Sequence, residues 1–336
     1  MDNRNLKIDT LRGIACLLLV AYHVIGSSPG NGLKISEGFY RDINDTLAYI
    51  RMPLFTFLSG FVYAYRPFSK NIPLFLSKKV RRLIIPMFTV GTIFAVLQML
   101  VPGSNTSIDN WYLLHIKPVA HFWFVESLFL VFILIVFLES LKLLDGFFKC
   151  ALVIFFMSII YCSPIGGEYF SFSGFFYLAP FFLLGMSIER YDLLKKIPVK
   201  VKLLVVILSI TLLACVYFGL IPMYGNRTLF ALVLGAVSCC SMLFSELKVS
   251  LFARIGAYSY SIYLFHVFFT AGSRIFLFNF NIYNTELVFV LSLFLGVLGP
   301  MVTEVILCRF NSTRVFFLGK APKRIKSNVS SVYFFK

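Results

Sequence analysis

The chain alternates between long apolar runs and short polar segments, a pattern typical of membrane helices. A membrane helix needs about 20 mostly apolar residues, and ten runs reach or approach that length. They cover residues 10–27, 47–65, 83–101, 121–139, 150–163, 172–188, 203–220, 228–244, 256–278 and 286–307. The fifth run is the shortest. The pattern therefore predicts an all-α polytopic membrane protein with about ten transmembrane helices.

Composition supports this fold class and excludes an ordinary soluble domain. Of the 336 residues, 59% are hydrophobic and only 14% are charged, whereas a soluble domain carries about 25% charged residues. The first apolar run follows a short basic stretch, as a signal peptide would. No small-residue cleavage site follows it, and it contains Arg12 and His23, so we expect a retained first span.

The net charge of +16 reflects membrane orientation rather than nucleic-acid binding. Basic residues lie in the gaps between apolar runs and form no stripe on a soluble face, so we expect no nucleic-acid partner. With both termini inside, 25 of the 31 Lys and Arg residues fall on the inner side, which predicts an N-in, C-in protein. We divide the chain into a transmembrane domain, residues 1–310, and a basic cytoplasmic tail, residues 311–336.

The cysteines and histidines do not predict a metal site. The seven cysteines lie almost entirely within apolar runs and form no CxxC pair, and the four histidines are scattered. We therefore expect neither a metal nor a redox role, and we interpret the cysteines as small residues packed among apolar neighbours.

The first span carries a polar stripe. Asp9, Arg12 and His23 return to nearly the same helix face, and Arg12 and His23 are separated by about 16 Å along the axis. Arg12 at the inner interface would place His23 near the middle of the membrane, where ionisable side chains are costly. One interpretation is a structural histidine bonded to a neighbouring helix. The other is a functional group: a proton relay, a ligand or a general base.

Few other ionisable or aromatic candidates lie within the predicted spans. Glu126 lies one to two turns inside the fourth span and could orient or charge-balance His23. His121 and Trp123 start that span, as substrate contacts or as interfacial anchors. His266, in the ninth span, is predicted to be structural.

Two basic features allow alternative interpretations. The inner loop at residues 66–82 is the most basic short segment, which topogenic charge and attraction to anionic lipid explain. Alternatively it binds an anionic cytoplasmic cofactor, because Lys79 and Arg82 could share a helix face. Arg51, which opens the second span, is equally consistent with a substrate contact and with a snorkelling anchor.

Five motifs follow one another along the chain: DTLRGIACLLLVAYH, MPLFTFLSGF, KKVRRLIIP, HFWFV and YSYSIYLFHVF. In this order they resemble the acyltransferase-3 family of membrane proteins, which O-acetylate cell-surface polysaccharides. The first matches the family's Asp-x-Leu-Arg-Gly opening and its Arg-x10-His motif. The resemblance covers essentially the whole chain.

The resemblance implies a function and roles for residues. It implies transfer of acetyl from cytoplasmic acetyl-CoA to a hydroxyl of an O-antigen, capsule or exopolysaccharide, or of its lipid-linked precursor, in the bacterial inner membrane. His23 corresponds to the catalytic histidine, which we expect Asp9 and Glu126 to assist. Arg12, Lys79 and Arg82 are then expected to bind acetyl-CoA. Lys79 replaces the first arginine of the family's Arg-x-x-Arg pair, which keeps the charge but loses the bidentate fork.

A transporter is the alternative function. In a proton-coupled glycan transporter or flippase, His23 and Glu126 would form a proton relay. Such proteins often contain paired broken helices in symmetry-related halves, and the sequence shows no such pairing. We therefore favour the acetyltransferase.

Overall fold

The computed structural model describes residues 5–68, 71–101 and 110–323, and these ranges contain helices and no strand. In the first half of the chain the α-helices are α1 (Leu6–Ile25), α2 (Phe39–Thr46), α3 (Ala48–Tyr65), α4 (Ile72–Lys79), α5 (Ile85–Leu100), α6 (Trp123–Ser140) and α7 (Phe147–Cys162). In the second half they are α8 (Phe172–Arg190), α9 (Leu193–Lys196), α10 (Val199–Tyr217), α11 (Leu229–Phe244), α12 (Ser250–Ala257), α13 (Ser259–Asn279), α14 (Thr285–Leu307) and α15 (Asn311–Phe316).

Seven helical segments are long and apolar enough to cross a membrane, and α2 with α3 forms an eighth that is bent by 40°. Helices α7 and α11 are apolar but have only 16 residues each. Each of the ten predicted runs corresponds to one of the long helices, so the chain is a multi-pass membrane protein. The count of ten and the N-in, C-in orientation stay predictions.

The basic segment predicted as an inner loop is helical for most of its length. The Asn71 side chain caps α4 by accepting a hydrogen bond from the backbone N–H of Leu74, at 3.0 Å. A π-helical segment, Val80–Ile84, then joins α4 to α5 without a break. The loop prediction is wrong from Ile72 onward. The Asn71 cap and continuous backbone hydrogen bonds stabilise a helix here despite the positive charge of the segment.

Helices α3 and α8 pack at backbone-to-backbone distance. A Cβ atom added to Gly60 would lie 1.9 Å from the carbonyl oxygen of Phe182, and one added to Gly185 would lie 2.0 Å from that of Phe57. Small residues let membrane helices approach closely where no hydrophobic effect draws them together. These two glycines therefore fix the position of α3, which carries Arg51.

Helix α1 is held in the same reciprocal way. A Cβ atom on Gly13 would lie 1.9 Å from the carbonyl oxygen of Phe252 on α12, and one on Gly256 would lie 1.9 Å from that of Asp9. Helix α1 also contacts α3, α13 and α14. It is thus central in the bundle, and its position determines where His23 lies.

The residues after α14 fold back onto the bundle. The Arg82 guanidinium donates to the carbonyl oxygen of Leu318 at 2.7 Å, and the Thr89 hydroxyl donates to that of Phe316 at 2.7 Å. Leu318 is fully buried. The first part of the segment predicted as a cytoplasmic tail therefore packs against α5. Residues 324–336 of that tail, together with Arg4 and residues 102–109, lie outside the described residues.

Candidate active site

A cavity of about 1340 Å³ opens at the end of the bundle opposite to the start of α1. The C-terminal halves of α1, α5 and α13 and the N-terminal part of α3 line it. From α1 it is lined by Leu19, Tyr22, His23 and Gly26. Gly26, with a φ of 106°, ends α1 three residues after His23. The polar group predicted near the middle of the membrane thus faces a large cavity.

Three histidines meet beside this cavity. The ring centroids of His23 and His266 are 4.7 Å apart, those of His121 and His266 are 5.0 Å apart, and those of His23 and His121 are 5.8 Å apart. His121 and His266 are buried, whereas His23 is partly exposed to the cavity. The histidines come from α1, from the 3-10 turn Ala120–Phe122 and from α13, so only the tertiary fold brings them together.

Hydrogen bonds fix the tautomer of His266. Its Nδ1 lies 2.8 Å from the carbonyl oxygen of Ile262 and 2.9 Å from that of Tyr263. Because carbonyl oxygens only accept, Nδ1 carries the proton, and in the neutral ring Nε2 holds a lone pair. This Nε2 is buried and has no hydrogen-bond partner in the described part of the chain. His266, predicted to be structural, therefore directs a free acceptor into the cluster.

The turn that carries His121 is strained and tied to α13. Ala120 adopts a left-handed conformation with a φ of 51°, and the Tyr263 hydroxyl donates to the carbonyl oxygen of His121. Both ring nitrogens of His121 are buried without a hydrogen-bond partner among the described residues. Buried polar atoms without partners are rare in native proteins, and backbone strain concentrates at functional sites. Both observations favour a functional role for this cluster.

Arg51 lies inside the bundle rather than at the lipid surface. Its Nη2 donates to the backbone carbonyl of Asn44 at 2.7 Å and to the Asn44 Oδ1 at 3.1 Å. The guanidinium lies 4.1 Å from the centroid of the Tyr22 ring, and Arg51 lines the cavity together with Trp123. Of the two interpretations of Arg51, this placement favours the substrate contact.

The comparison with known families agrees with this geometry. A family model described as an acyltransferase domain, acyltransferase 3, matches residues 5–305. The chain belongs to the acyltransferase 3 family. No curated protein and no solved structure matches it significantly. Family membership and the apolar helices together make the chain a membrane acyltransferase, and the matched range contains every candidate site residue.

Glu126 of this acyltransferase contacts a different partner from the one that the sequence suggested. The Ser171 hydroxyl donates to its Oε2 at 2.6 Å, and the Ser127 hydroxyl donates to the Ser171 carbonyl at 2.9 Å. Glu126 does not line the cavity. That Glu126 orients or charge-balances His23 stays a prediction, and in this structure its carboxylate points towards the turn before α8 and contacts Ser171, which lines the cavity.

Asp9 and Arg12 pair with each other near the start of α1. Arg12 Nη1 lies 3.4 Å from Asp9 Oδ1, and neither residue lines the cavity. Arg12 is about 16 Å and Asp9 about 21 Å from His23 along the helix axis. They share the helix but not the cavity, so the polar stripe is not an open path in this structure.

Lys79 and Arg82 lie at the same end of the bundle as Arg12 and contact different aromatic rings. The Lys79 Nζ lies 3.5 Å from the centroid of the Phe132 ring. Arg82 lies over the Tyr260 ring at 3.9 Å and donates to Leu318. The π-helical segment between α4 and α5 alters the helical register, which no spacing rule for α-helices anticipates.

Proposed function

We propose that this acyltransferase moves an acetyl group from cytoplasmic acetyl-CoA to a hydroxyl of a cell-surface polysaccharide or of its lipid-linked precursor, in the bacterial inner membrane. His23 acts as the general base. The observation that carries the proposal is the position of His23: its ring faces a cavity large enough for a sugar chain, beside two further imidazoles. The acetyl donor, the acceptor and the membrane follow from the family resemblance.

The reaction needs one proton to be moved twice. A ring nitrogen of His23 takes the proton of the acceptor hydroxyl while the hydroxyl oxygen bonds to the thioester carbonyl carbon. The bond between that carbon and sulfur then breaks, and His23 returns the proton to the sulfur of CoA. General-base catalysis of this kind contributes about 10²- to 10⁴-fold in rate.

The two substrates approach His23 from opposite ends of the bundle. With the N-terminus inside, the cavity opens to the outside, where the glycan would enter. Lys79 and Arg82 lie at the inner end and would bind the phosphates of CoA. Because Arg82 donates to the Leu318 carbonyl and is covered by Tyr260, donor binding has to displace the segment after α14.

The transporter hypothesis loses its main support. It requires a proton relay between His23 and Glu126, and Glu126 is bonded to Ser171 and does not itself line the cavity. The described aromatic rings in contact with His23 are those of Tyr22, His121 and His266, and the two further imidazoles suit proton exchange with a substrate at one site.

One assay tests the proposed function. Glycan acetylation is measured in cells that carry the wild type, His23→Ala or His115→Ala at equal membrane abundance. His115 is the matched control, because it bonds to Thr92 and lies outside the cavity. We expect His23→Ala to lose at least about 100-fold of the activity and His115→Ala to keep it. Unchanged acetylation by His23→Ala contradicts the base assignment, and a block in glycan export with intact acetylation supports the transporter.

A further inference from the structure

The cavity carries more positive charge than its carboxylates neutralise. Its cationic lining residues are Lys34, Arg51, Lys117, Arg227 and Arg274. Among the described residues two carboxylates line it, and each already has an ion-pair partner. Asp45 pairs with Arg41 at 3.3 Å, and Glu168 pairs with Lys117 at 2.8 Å. The surplus of positive charge in a confined, partly apolar space favours an anionic occupant.

Arg51 and Arg227 direct their donors to the protein itself. Arg51 bonds to Asn44, as described above. Arg227 donates to four backbone carbonyl oxygens at 2.8–2.9 Å, those of Ile160, Tyr161, Ser163 and Ile165. Arg227 therefore holds the cavity wall in place with its guanidinium nitrogens occupied. Arg51 is fixed to Asn44 through Nη2, and its buried Nε has no hydrogen-bond partner among the described residues.

Arg274 differs from them, since within the described ranges it makes neither a hydrogen bond nor an ion pair. It is half-buried, and it belongs to the face of α13 that lines the cavity. That face is formed by Tyr263, Val267, Thr270, Arg274 and Phe278, which recur at the spacing of one helix side. A snorkelling anchor would face lipid, whereas Arg274 faces the cavity about 12 Å along the axis from His266.

We propose that Arg274 binds an oxyanion of the acceptor, and so places the acceptor hydroxyl next to His23. A guanidinium offers two parallel donors that match a carboxylate or a phosphate. The oxyanion is either the carboxylate of an acidic sugar or the phosphate of a lipid-linked precursor. The inference rests on the proposed function in one respect, namely that the occupant of the cavity is the acceptor.

A binding experiment without acetyl-CoA tests this inference on the purified full chain in detergent. Two pairs of probes are compared: digalacturonate with neutral digalactose, and a polyprenyl phosphate with the corresponding polyprenol. We expect at least one anionic probe to bind about tenfold more tightly than its neutral counterpart, the gain expected for hydrogen bonds to a charged group. A preference within the sugar pair identifies an acidic sugar, and one within the lipid pair identifies a lipid phosphate.

Three variants assign the preference to a residue. Arg274→Gln is expected to reduce the preference for the anionic probe below about threefold. Arg274→Lys is expected to retain part of the preference, because the charge remains but the two parallel donors of the guanidinium are lost. Arg254→Gln removes the same charge from an exposed position on α12 outside the cavity and is expected to keep the full preference. If Arg274→Gln does not give a monodisperse protein, the comparison of Arg274→Lys with the wild type decides.

Three outcomes overturn the inference: no preference by the wild type for either anionic probe, an unchanged preference in Arg274→Gln, and equal binding by Arg274→Lys and the wild type. The binding measurement does not depend on acetyl transfer, because it contains no acetyl-CoA. A failed binding test therefore leaves the proposed acetyl transfer standing, and a protein that transfers no acetyl group keeps any measured preference for anions.

Discussion

The imidazole rings of His23 and His266 meet edge to face, with centroids 4.7 Å apart and an interplanar angle of 64°. Because the backbone carbonyls of α13 hold the proton of His266 on Nδ1, its Nε2 can accept from a neighbouring group. In other enzymes a catalytic histidine is oriented by a hydrogen bond between its second ring nitrogen and a neighbouring group. A fixed acceptor next to the ring of His23 can orient this base in the same way before the substrate arrives. We therefore expect His266 to act as a positioning residue for His23.

The first prediction concerns His266. We expect His266→Ala to lower kcat by about 100-fold, the lower end of the range for general-base catalysis, with little change in KM for either substrate. The reason is that His23 loses the neighbour that orients its ring. The measurement is the rate of acetyl transfer by the purified protein over a range of acceptor concentrations.

A rescue experiment separates positioning from packing. The alanine variant leaves space for a free imidazole, so added imidazole should restore part of the kcat of His266→Ala. A His266→Ala protein with wild-type kcat would show that the second histidine has only a structural role.

The second prediction concerns Arg51 and the Tyr22 ring. Arg51→Lys keeps the charge but loses the paired bonds to Asn44 and the planar contact with the ring. We expect a loss of about 1–3 kcal/mol in the free energy of unfolding, the value of a hydrogen bond to a charged group, and weaker use of the acceptor. Thermal unfolding in detergent and acceptor KM measure these effects. Tyr22→Phe is the control, since it keeps the ring beneath Arg51, and equal stability of Arg51→Lys and the wild type would contradict the prediction.

The helices could be predicted from the sequence because their signal is local. Each of the ten apolar runs became a helix, and the polar position of His23 on α1 followed from counting residues. Helix α2 was missed, because FYRDINDT is polar and carries no apolar run. The π-helical segment at Val80–Ile84 was missed as well.

The contacts of the site depend on long-range packing that no spacing reveals. Only the fold shows that α13 lies against α1, and hence that His266, predicted to be structural, meets His23. A signal was nevertheless present, since an ionisable side chain deep in an apolar span favours a functional role. Glu126 carried the same signal, and the structure pairs it with Ser171 instead.

The third prediction concerns the close contact of α3 and α8. Gly60→Ala would bring a methyl group within 1.9 Å of the Phe182 carbonyl oxygen, and the two backbones cannot both stay in place. We expect a loss of about 3 kcal/mol or more in stability, at or above the usual range for overpacking. The readouts are folded yield and thermal unfolding. Gly225→Ala is the matched control, since nothing lies within 4 Å of its added Cβ, and equal unfolding temperatures would disprove the contact.

The fourth prediction concerns pH. Lys117 lowers the pKa of Glu168 below its usual 4.5 through a hydrogen bond and attraction, and Glu168 raises that of Lys117 above 10.5 in return. The stability that a lowered carboxyl pKa contributes is fully present above the usual pKa and is lost as the pH falls through the lowered pKa. The stability that a raised lysine pKa contributes is lost only above pH 10.5. The pair at the cavity rim thus stays charged between about pH 5 and pH 9.

It follows that this ion pair does not set the pH dependence of acyl transfer near neutrality. We expect the profiles of kcat/KM for Glu168→Gln and the wild type to have the same midpoint between pH 5 and pH 8. The measurement is the transfer rate at steps across that interval. A midpoint moved by about half a unit or more, well outside the effect of an exposed pair, would place Glu168 in the reaction.

The last prediction concerns Arg82 and the donor. Arg82 contacts Leu318 and Tyr260 at the end of the bundle where α1 begins, and it does not line the cavity. If it binds the phosphates of CoA, Arg82→Ala should raise the KM for acetyl-CoA by about tenfold, which corresponds to one charge-assisted hydrogen bond, and leave the acceptor KM nearly unchanged. Lys78→Ala removes an exposed charge from the same segment and should alter neither value. Because Arg82 also anchors the segment after α14, a loss of folded protein would lower the apparent kcat and leave both KM values unchanged. An unchanged KM for acetyl-CoA would therefore assign Arg82 to the fold and not to the donor.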